Sequence, residues 1–441
     1  MRLLNTKTLQ FEWINDPSSV QYAILSHVWA PEGEQSFHDV LAIITRSKDT
    51  KETIDVRSLL SRKIARFCAR ALKDGFQYAW VDSCCIDKTS SAELSEALNS
   101  MFKWYRSATR CYAFLHDVDN DDRSREPASQ FRQSLWFRRG WTLQELLAPS
   151  AVIFLSKQWR RIDTKRGLSK VVEEITGIDL DVLEGRRSIG SVSVARRMAW
   201  ASSRSMTREE DEAYSLMGLF GVNMPTIYGE GRHAFVRLQE EIMKHIPDDT
   251  LFAWGDRIAP HNPEELRVLT PAHHYGGLFA VRPQDFAAAK ELRPLAHEEL
   301  LGRLYRHEPR TAGGRQKSHP LLAIQAASES LSDFSTTRYG VRAKIHVLPE
   351  YCSRMLMLGF LQCEDSAGNL VALLLRRSEF AYSGDAFDVG VCTRAGATYR
   401  LATLSHMDQK AILRRALPQS TVIHISRGGP DAFSLSGRHG I

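Results

Sequence analysis

The stretch YAWVDSCCIDKTSSAELSEALNSMFKWYRSATRCYAFL, residues 78–115, contains two short apolar runs separated by a helical pattern. Tyr78–Val81 and Cys111–Leu115 have the length of strands and are almost entirely apolar, as strands buried in a parallel sheet are. Between them, Ser90 and Glu93 form a capping-box pattern that precedes apolar residues at three- and four-residue steps. A strand, a helix and a strand in this order predict a right-handed crossover between parallel strands.

The same alternation continues on both sides of this stretch. Tyr22–Ser26 precedes it and Ala151–Leu155 follows it, and both are apolar runs of strand length. A helix that begins after Ser61 and ends at Gly75 is expected between the first two runs, and the segment before Pro149 is expected to be helical again. The order βαβαβαβ predicts an α/β fold with a parallel, flavodoxin-like sheet flanked by helices.

After Leu155 the pattern changes twice. The first change is to helical periodicity, in which Thr207 and Glu210 form a second capping-box pattern and Gly221 ends a helix. After Trp254 short strand-like runs are separated by polar turns, and they predict a separate β-rich domain. These runs are LLAIQ (321–325), YGVRAKIHVL (339–348), RMLMLGFLQC (354–363), NLVALLL (369–375) and FDVGVC (387–392). The predicted parts are an α/β core over 1–155, a helical extension without strands over 156–254, and a β-rich C-terminal domain over 255–441.

Composition limits the class of protein. The 441 residues are 43% hydrophobic and 25% charged, which is typical of a folded chain of two or three domains. The net charge of +6 is not concentrated in a basic stripe, so no nucleic-acid partner is expected. Seven scattered cysteines without a CxxC pair indicate a reduced, cytoplasmic chain with no disulfide framework and no metal site. The N-terminus lacks an export signal and Leu370–Leu375 is too short to cross a bilayer, so no membrane span is expected.

Five unusual sequence blocks follow one another within roughly the first 250 residues. They are LLNTKTLQ (3–10), YAILSHVW (22–29), YAWVDSCCIDKTSSAELSEALNSMFKWY (78–105), RRGWTLQELLAP (138–149) and TREEDEAYSLMGLFGVNMPTIYGEG (207–231). In this order they resemble the fungal HET (heterokaryon incompatibility) domain family. The resemblance implies a trigger of programmed cell death in self/non-self recognition. It also implies a homo-oligomer formed through the HET domain, with a NOD-like or other incompatibility protein as a further partner.

This chain departs from the family pattern within the second block. The family continues Trp-Gly where this chain has Trp29 and Ala30. Glycine permits backbone angles that alanine resists, so either the local loop differs or this copy is weakened.

A second, more distant resemblance is to Toll/interleukin receptor (TIR) domains, which have the same order of strands and helices. Their first strand often ends in a phrase such as FLSY, to which Ile24–His27 is similar, and their third helix often carries Trp-Cys-x-x-Glu-Leu, to which Trp141–Leu146 is similar. In the enzymatic TIR proteins that glutamate supports cleavage of NAD. The resemblance therefore implies that the fold is TIR-like, that Glu145 is catalytic, and that NAD is a substrate while no bound cofactor is needed.

The chemistry of that cleavage suits a carboxylate. Splitting the bond between nicotinamide and ribose creates an oxocarbenium-like sugar, whose positive charge a nearby carboxylate stabilises. Ligands of open α/β sheets bind beyond the carboxyl ends of the strands, where His116 also lies, and paired arginines can meet a pyrophosphate. The candidate substrate-binding residues are Ser26, His27, Trp29, Asp82, Cys85, Asp87, Arg138, Arg139 and Trp141.

Structural roles and other functions stay open at this point. Glu145 can be a helix-terminal glutamate paired with an arginine, and Asp82 and Asp87 can cap turns. Three functional classes compete: an NAD-cleaving enzyme, a non-enzymatic adaptor that signals by oligomerising, and an enzyme with Cys85 as nucleophile and His27 as its base. We expect the region after residue 254 to restrain the killer domain or to sense its trigger.

Overall fold

The computed structural model describes residues 1–49, 55–259, 270–305, 333–338, 340–353, 356–377, 386–394, 397–405, 409 and 419–425. The chain divides into two compact units, each made of two stretches of sequence. The first unit comprises Met1–Ser191 and Ser203–Gly229, and the second comprises Val192–Ser202 and Glu230–Ile441. Within the described part of the chain, no helix has the length and apolar character needed to cross a membrane.

A seven-stranded sheet forms the centre of the first unit. Its strands are β1 (Arg2–Asn5), β2 (Phe11–Trp13), β3 (Tyr22–His27), β4 (Tyr78–Trp80), β5 (Arg110–Phe114), β6 (Val152–Leu155) and β7 (Arg161–Thr164). The order across the sheet is β2-β1-β4-β3-β5-β6-β7. The four neighbouring strands β4, β3, β5 and β6 are parallel to one another. The predicted α/β fold is thereby confirmed, with its parallel strands in the order second, first, third, fourth that flavodoxin-like sheets have.

Three further strands, joined by antiparallel pairings, flank this parallel core. The sequence patterns did not predict them. β1 and β2 extend one edge, and β7 pairs antiparallel with β6 at the other. The expectation that residues 156–254 contain no strand is therefore wrong. β7 is short, mostly polar and only partly buried, so it lacks the apolar periodicity by which strands are recognised. The turn before it contains Trp159 at φ 65, a backbone angle that few non-glycine residues adopt.

Helices cover the sheet of the first unit and also occur in the second. They are α1 (Phe37–Asp49), α2 (Val56–Leu59), α3 (Arg62–Lys73), α4 (Asp82–Cys85), α5 (Ser91–Ser107), α6 (Gln130–Gln133), α7 (Thr142–Leu147), α8 (Ser169–Thr176), α9 (Leu180–Leu183), α10 (Val194–Ala199), α11 (Asp211–Tyr214), α12 (Met217–Phe220), α13 (His233–His245) and α14 (His297–Tyr305). Of these, α10, α13 and α14 belong to the second unit.

Helix boundaries follow the capping residues in most places. The Ser61 and Ser90 hydroxyls accept hydrogen bonds from backbone amides in the first turns of α3 and α5, as predicted. Gly221 ends α12 at φ 69, also as predicted. The capping box of Thr207 and Glu210 is wrong, because α11 begins after Glu210 without a side-chain cap. The Thr207 hydroxyl instead accepts a hydrogen bond from Arg139, at 3.2 Å.

The second unit contains an eleven-stranded, mainly antiparallel sheet, which confirms the predicted β-rich region. Its strands are β8 (Arg257–Ile258), β9 (Thr270–Gly276), β10 (Arg293–Pro294), β11 (Asp333–Thr337), β12 (Gly340–Ser353), β13 (Leu356–Glu364), β14 (Leu370–Arg377), β15 (Ala386–Arg394), β16 (Ala397–Tyr399), β17 (Leu401–Leu404) and β18 (Gln419–Ile425). Four of the five predicted apolar runs fall on β12 to β15, and residues 321–325 lie outside the described residues. Leu300 and Leu304 of α14 pack on this sheet in one apolar cluster with Leu358, Phe360 and Leu374.

The contact between α5 and α12 yields a test of the first unit. A Cβ on Gly218 would lie 2.1 Å from the Cβ of Phe102, so Gly218→Ala must displace one helix. We expect it to lower the free energy of unfolding by about 1–3 kcal/mol, measured by denaturant titration. Gly190→Ala is the control, because its new methyl would have only the Ser188 hydroxyl nearby, at 3.6 Å. Equal stability of both variants would contradict this packing.

Candidate functional site

The candidate site lies where the chain reverses its direction of travel across the sheet. From β3 the chain crosses to β4 on one side and then to β5 on the other. In open α/β sheets this switch point leaves a crevice at the carboxyl ends of the two strands, where ligands bind. Ser26 and His27 are the last residues of β3 and therefore lie at this position.

Glu145 is joined to the end of β3 by a hydrogen bond. The Ser26 hydroxyl donates to Glu145 Oε2, and the indole Nε1 of Trp136 donates to the Ser26 hydroxyl at 2.8 Å. The Tyr105 hydroxyl also lies within hydrogen-bonding reach of the carboxyl and donates to the Leu25 carbonyl at 2.9 Å. Glu145 is only 7% exposed, so it is enclosed within the unit and is not a glutamate of the helix surface.

Enclosure changes the protonation of Glu145. Burial raises the pKa of its carboxyl to about 8, and the negative charge of Asp82 adds to the effect. The hydrogen bond from Ser26 acts in the opposite direction but does not offset burial. The carboxyl is therefore mainly neutral at pH 7, which is typical of functional sites but also occurs in structural networks.

A second cluster of polar side chains surrounds His27. Its Nε2 lies 2.9 Å from Asp82 Oδ1, and its Nδ1 lies 3.1 Å from the Lys63 ammonium, which also pairs with Glu34. Because an ammonium group can only donate, Nδ1 is the acceptor and Nε2 carries the proton given to Asp82. Both ring nitrogens are thus engaged, and His27 holds Asp82 in place.

Asp82 is an ionised acceptor beside an exposed tryptophan. Its enclosed position would raise its pKa, but His27, Lys88 and Trp29 outweigh that effect and lower the pKa. The Trp29 indole donates to Asp82 Oδ2 at 2.8 Å, and the Lys88 ammonium lies 3.6 Å from the centroid of its ring. Trp29 is 40% exposed and forms part of the rim of the site.

Ala30, which stands where the family has glycine, adopts a backbone conformation that is ordinary for a non-glycine residue. The only non-glycine residues with positive φ in the described part of the chain are Leu9 and Trp159, so Ala30 does not require the conformational freedom of glycine. Its amide donates to Glu34 at 2.9 Å, which anchors the loop to the same ion pair as Lys63.

The remaining candidates lie around this centre and have identifiable partners. Asp87 caps the turn before α5 by accepting from Thr89 and pairs with His38 at 3.1 Å. Cys85 is buried, and its sulfur accepts from the Val81 amide at 3.4 Å. Arg138 is exposed.

Arg139 and Trp141 lie at the beginning of the helix that carries Glu145. Arg139 is partly exposed and contributes positive charge near that carboxyl, while its side chain donates to Thr207. Trp141 is partly buried and is hydrogen-bonded to Asp211. Among the described residues, no group of three or more histidine, cysteine, aspartate or glutamate side chains is arranged to hold a metal ion.

Residues 22–126, which include β3, β4 and β5, match the family described as heterokaryon incompatibility protein (HET). Residues 22–126 of this chain therefore belong to a HET domain. It is also 45% identical over 258 residues to the vegetative incompatibility protein HET-E-1 of Podospora anserina, a match that covers 57% of this chain but 17% of that protein. Residues 233–358 match a second family, a domain of unknown function named DUF8212. No solved structure matches the chain.

Sequence patterns did not identify several residues that hold the buried Glu145. Trp136 and Tyr105 contact Ser26 or Glu145 directly, and Lys165 donates to the Leu146 and Pro149 carbonyls at 3.0 and 2.6 Å, at the end of α7. Burial lowers the pKa of Lys165 to about 8. Tryptophan and tyrosine occur in most cores, and a lysine between polar residues resembles a surface lysine, so sequence alone contained no signal for these roles.

Glu145 makes the stability of the first unit depend on pH. Its folded-state pKa of about 8 lies above the ordinary value of 4.5, so rising pH ionises the unfolded chain first and favours unfolding between those values. Relative to the parent, Glu145→Gln should gain up to about 1.4 kcal/mol of stability per pH unit over this interval. The measurement is denaturant unfolding at several pH values.

The control for this experiment is Glu126→Gln, which alters an exposed glutamate of the same unit that pairs with Arg123. Its stability should follow that of the parent at every pH. A difference between Glu145→Gln and the parent that stays constant from pH 5 to pH 8 would show that the carboxyl is not protonated in the folded state.

Burial also predicts the reactivity of Cys85. The residue is 2% exposed, so a neutral-pH alkylating reagent should leave it unmodified in the folded HET domain and modify it after unfolding. Mass spectrometry of the peptide containing Cys85 gives the extent of modification. Rapid labelling of the folded protein would contradict the structure and support the cysteine nucleophile.

Proposed function

We propose that this chain is a cell-death effector of fungal self/non-self recognition, and that its HET domain hydrolyses NAD to nicotinamide and ADP-ribose with Glu145 as the catalytic residue. The observation that carries the proposal is the Ser26–Glu145 hydrogen bond at the carboxyl end of β3. It places a carboxyl with raised pKa at the switch point of the sheet, where ligands of such folds bind. The similarity to a vegetative incompatibility protein supports the biological role.

The proposed reaction breaks the bond between the nicotinamide nitrogen and C1′ of the ribose. The bonding electrons leave with nicotinamide, which is a good leaving group because its ring is cationic in NAD. Water then adds to C1′ and releases a proton. An ionised Glu145 stabilises the oxocarbenium-like sugar between these events, and the cationic substrate itself favours that ionisation.

Other residues supply binding contacts in this proposal. Arg139 is partly exposed at the start of α7 and can contact the pyrophosphate, with the exposed Arg138 beside it. The Trp29 ring and Asp82 form the rim on the other side of Ser26. Since Glu145 is enclosed in the isolated chain, we expect self-association through the HET domain, triggered by a NOD-like or other incompatibility protein, to admit the substrate.

The test is loss of NAD and release of nicotinamide by the whole chain at high concentration, in parallel with Glu145→Gln. Removing one fixed electrostatic contact should lower the rate about 100- to 1000-fold. Glu126→Gln is the control and should keep the rate of the parent. A folded, self-associated parent that leaves NAD intact would contradict the enzymatic mechanism.

The enclosure and neutral state of Glu145 also favour a second function, that of a non-enzymatic adaptor. In that case the carboxyl holds β3 and α7 together, and killing depends only on assembly with like domains. The two functions differ in cells: the adaptor requires that Glu145→Gln kills as well as the parent does. Loss of killing with assembly intact leaves only the enzyme.

A further inference from the structure

A segment of the first unit that is far from Glu145 in sequence fixes the chain just before α7. The Ser205 amide donates to the Arg138 carbonyl at 2.7 Å, and the Gly140 amide donates to the Ser205 carbonyl at 3.1 Å. Met206 occupies the space where a side chain on residue 140 would lie, since a Cβ on Gly140 would be 1.7 Å from the Met206 methyl. We call Arg204–Asp211 the clamp segment.

Arg204 is the buried charged residue of the clamp segment. Its side chain is 5% exposed, and its NH1 group donates to the Arg139 carbonyl and to the Thr142 hydroxyl, both at 2.8 Å. These two bonds fix the first turn of α7, one turn before Glu145. Arg204 is also within electrostatic reach of the Glu145 carboxyl.

The bonds of Arg204 belong to a continuous network. The Thr142 hydroxyl lies 2.5 Å from the Trp136 carbonyl, and the Trp136 indole donates to the Ser26 hydroxyl, which donates to Glu145. A change at Arg204 therefore alters groups that hold the Glu145 carboxyl on two sides. One side is α7, which carries Glu145, and the other is the end of β3. Buried networks of this kind are sensitive to the loss of one member.

The charge of Arg204 is permanent at neutral pH. Burial lowers the pKa of its guanidinium to about 9, still above neutrality, and guanidinium groups resist deprotonation. Among the described residues, the groups that face Glu145 from the surrounding elements are Ser26, Asp82, Tyr105, Cys111, Trp136, Arg139 and Arg204. Only the two arginines are cationic, and Arg204 is the more deeply buried of them.

We infer that Arg204 is a positioning residue for Glu145, which fixes the first turn of α7 and supplies the buried positive charge that favours the ionised carboxylate. The catalytic consequence rests on the proposed function, whereas the electrostatic effect on Glu145 does not.

The test compares the whole chain with Arg204→Met, Arg204→Lys and a control, Arg208→Met. The control removes an exposed arginine of the same clamp segment, which stacks 4.5 Å from the Tyr228 ring. Infrared spectroscopy during a pH titration follows the protonated carboxyl band, and its absence in Glu145→Gln assigns the band to Glu145. NAD cleavage is measured on the same samples.

Arg204→Met should move the titration of Glu145 upward by about one pH unit, a tenfold change in its ionisation equilibrium. Arg204→Lys should restore most of the parent titration, because it keeps the charge, and Arg208→Met should leave it unchanged. If Arg204→Met does not fold, Arg204→Gln provides the same comparison, since it removes the charge but keeps a donor.

Two results would overturn the inference: an unchanged titration in a folded Arg204→Met or Arg204→Gln chain, or an equal shift in Arg208→Met. The proposed function fails separately, if the parent does not cleave NAD while the titration still responds to Arg204. Conversely, NAD cleavage that survives Arg204→Met with an unchanged titration leaves the enzyme in place and removes Arg204 from its mechanism.

Discussion

The hydrogen bond between Ser26 and Glu145 connects the central sheet of the first unit to the helix that carries the buried acid. It joins the end of strand β3 to α7, a six-residue helix that is too short to be stable by its own hydrogen bonds. The helix therefore depends on its anchors, which are Trp136 through Ser26, Arg204 at its first turn and Lys165 at its end. A buried acid is costly to ionise, and this one lies at the crevice where ligands of such sheets bind.

The surroundings of His27 complement this arrangement. Next to a carboxyl that burial keeps mainly neutral, Asp82 stays ionised because His27, Lys88 and Trp29 all stabilise its charge. Two carboxyl groups with opposite protonation at neutral pH thus lie on either side of the end of β3. Pairs of acidic groups whose environments separate their pKa values are a common basis for acid–base roles.

The sequence indicated the parallel core and its helices because those signals are local. Continuous apolar runs, serine caps before α3 and α5, and a glycine after α12 depend on neighbouring residues only. β7 was missed because a polar edge strand is defined by its partner β6, and Thr207 was misassigned because its hydroxyl bonds to distant Arg139. For the site, the resemblance to TIR domains indicated Glu145, and the ends of the strands indicated Ser26 and His27. The enclosure of Glu145 by Trp136 and Arg204 depends on contacts between residues far apart in sequence, so the sequence patterns did not indicate it.

The two units alternate along the chain, so no single cut in the sequence separates one from the other. Val192–Ser202 belongs to the second unit, where Ser193 donates to the Leu292 carbonyl at 2.7 Å and Asp248 caps α10 by accepting from the Val194 amide. The clamp segment follows immediately, back in the first unit. A single break near residue 254 would separate α10 from the Leu292 carbonyl, so a fragment that ends there loses this contact.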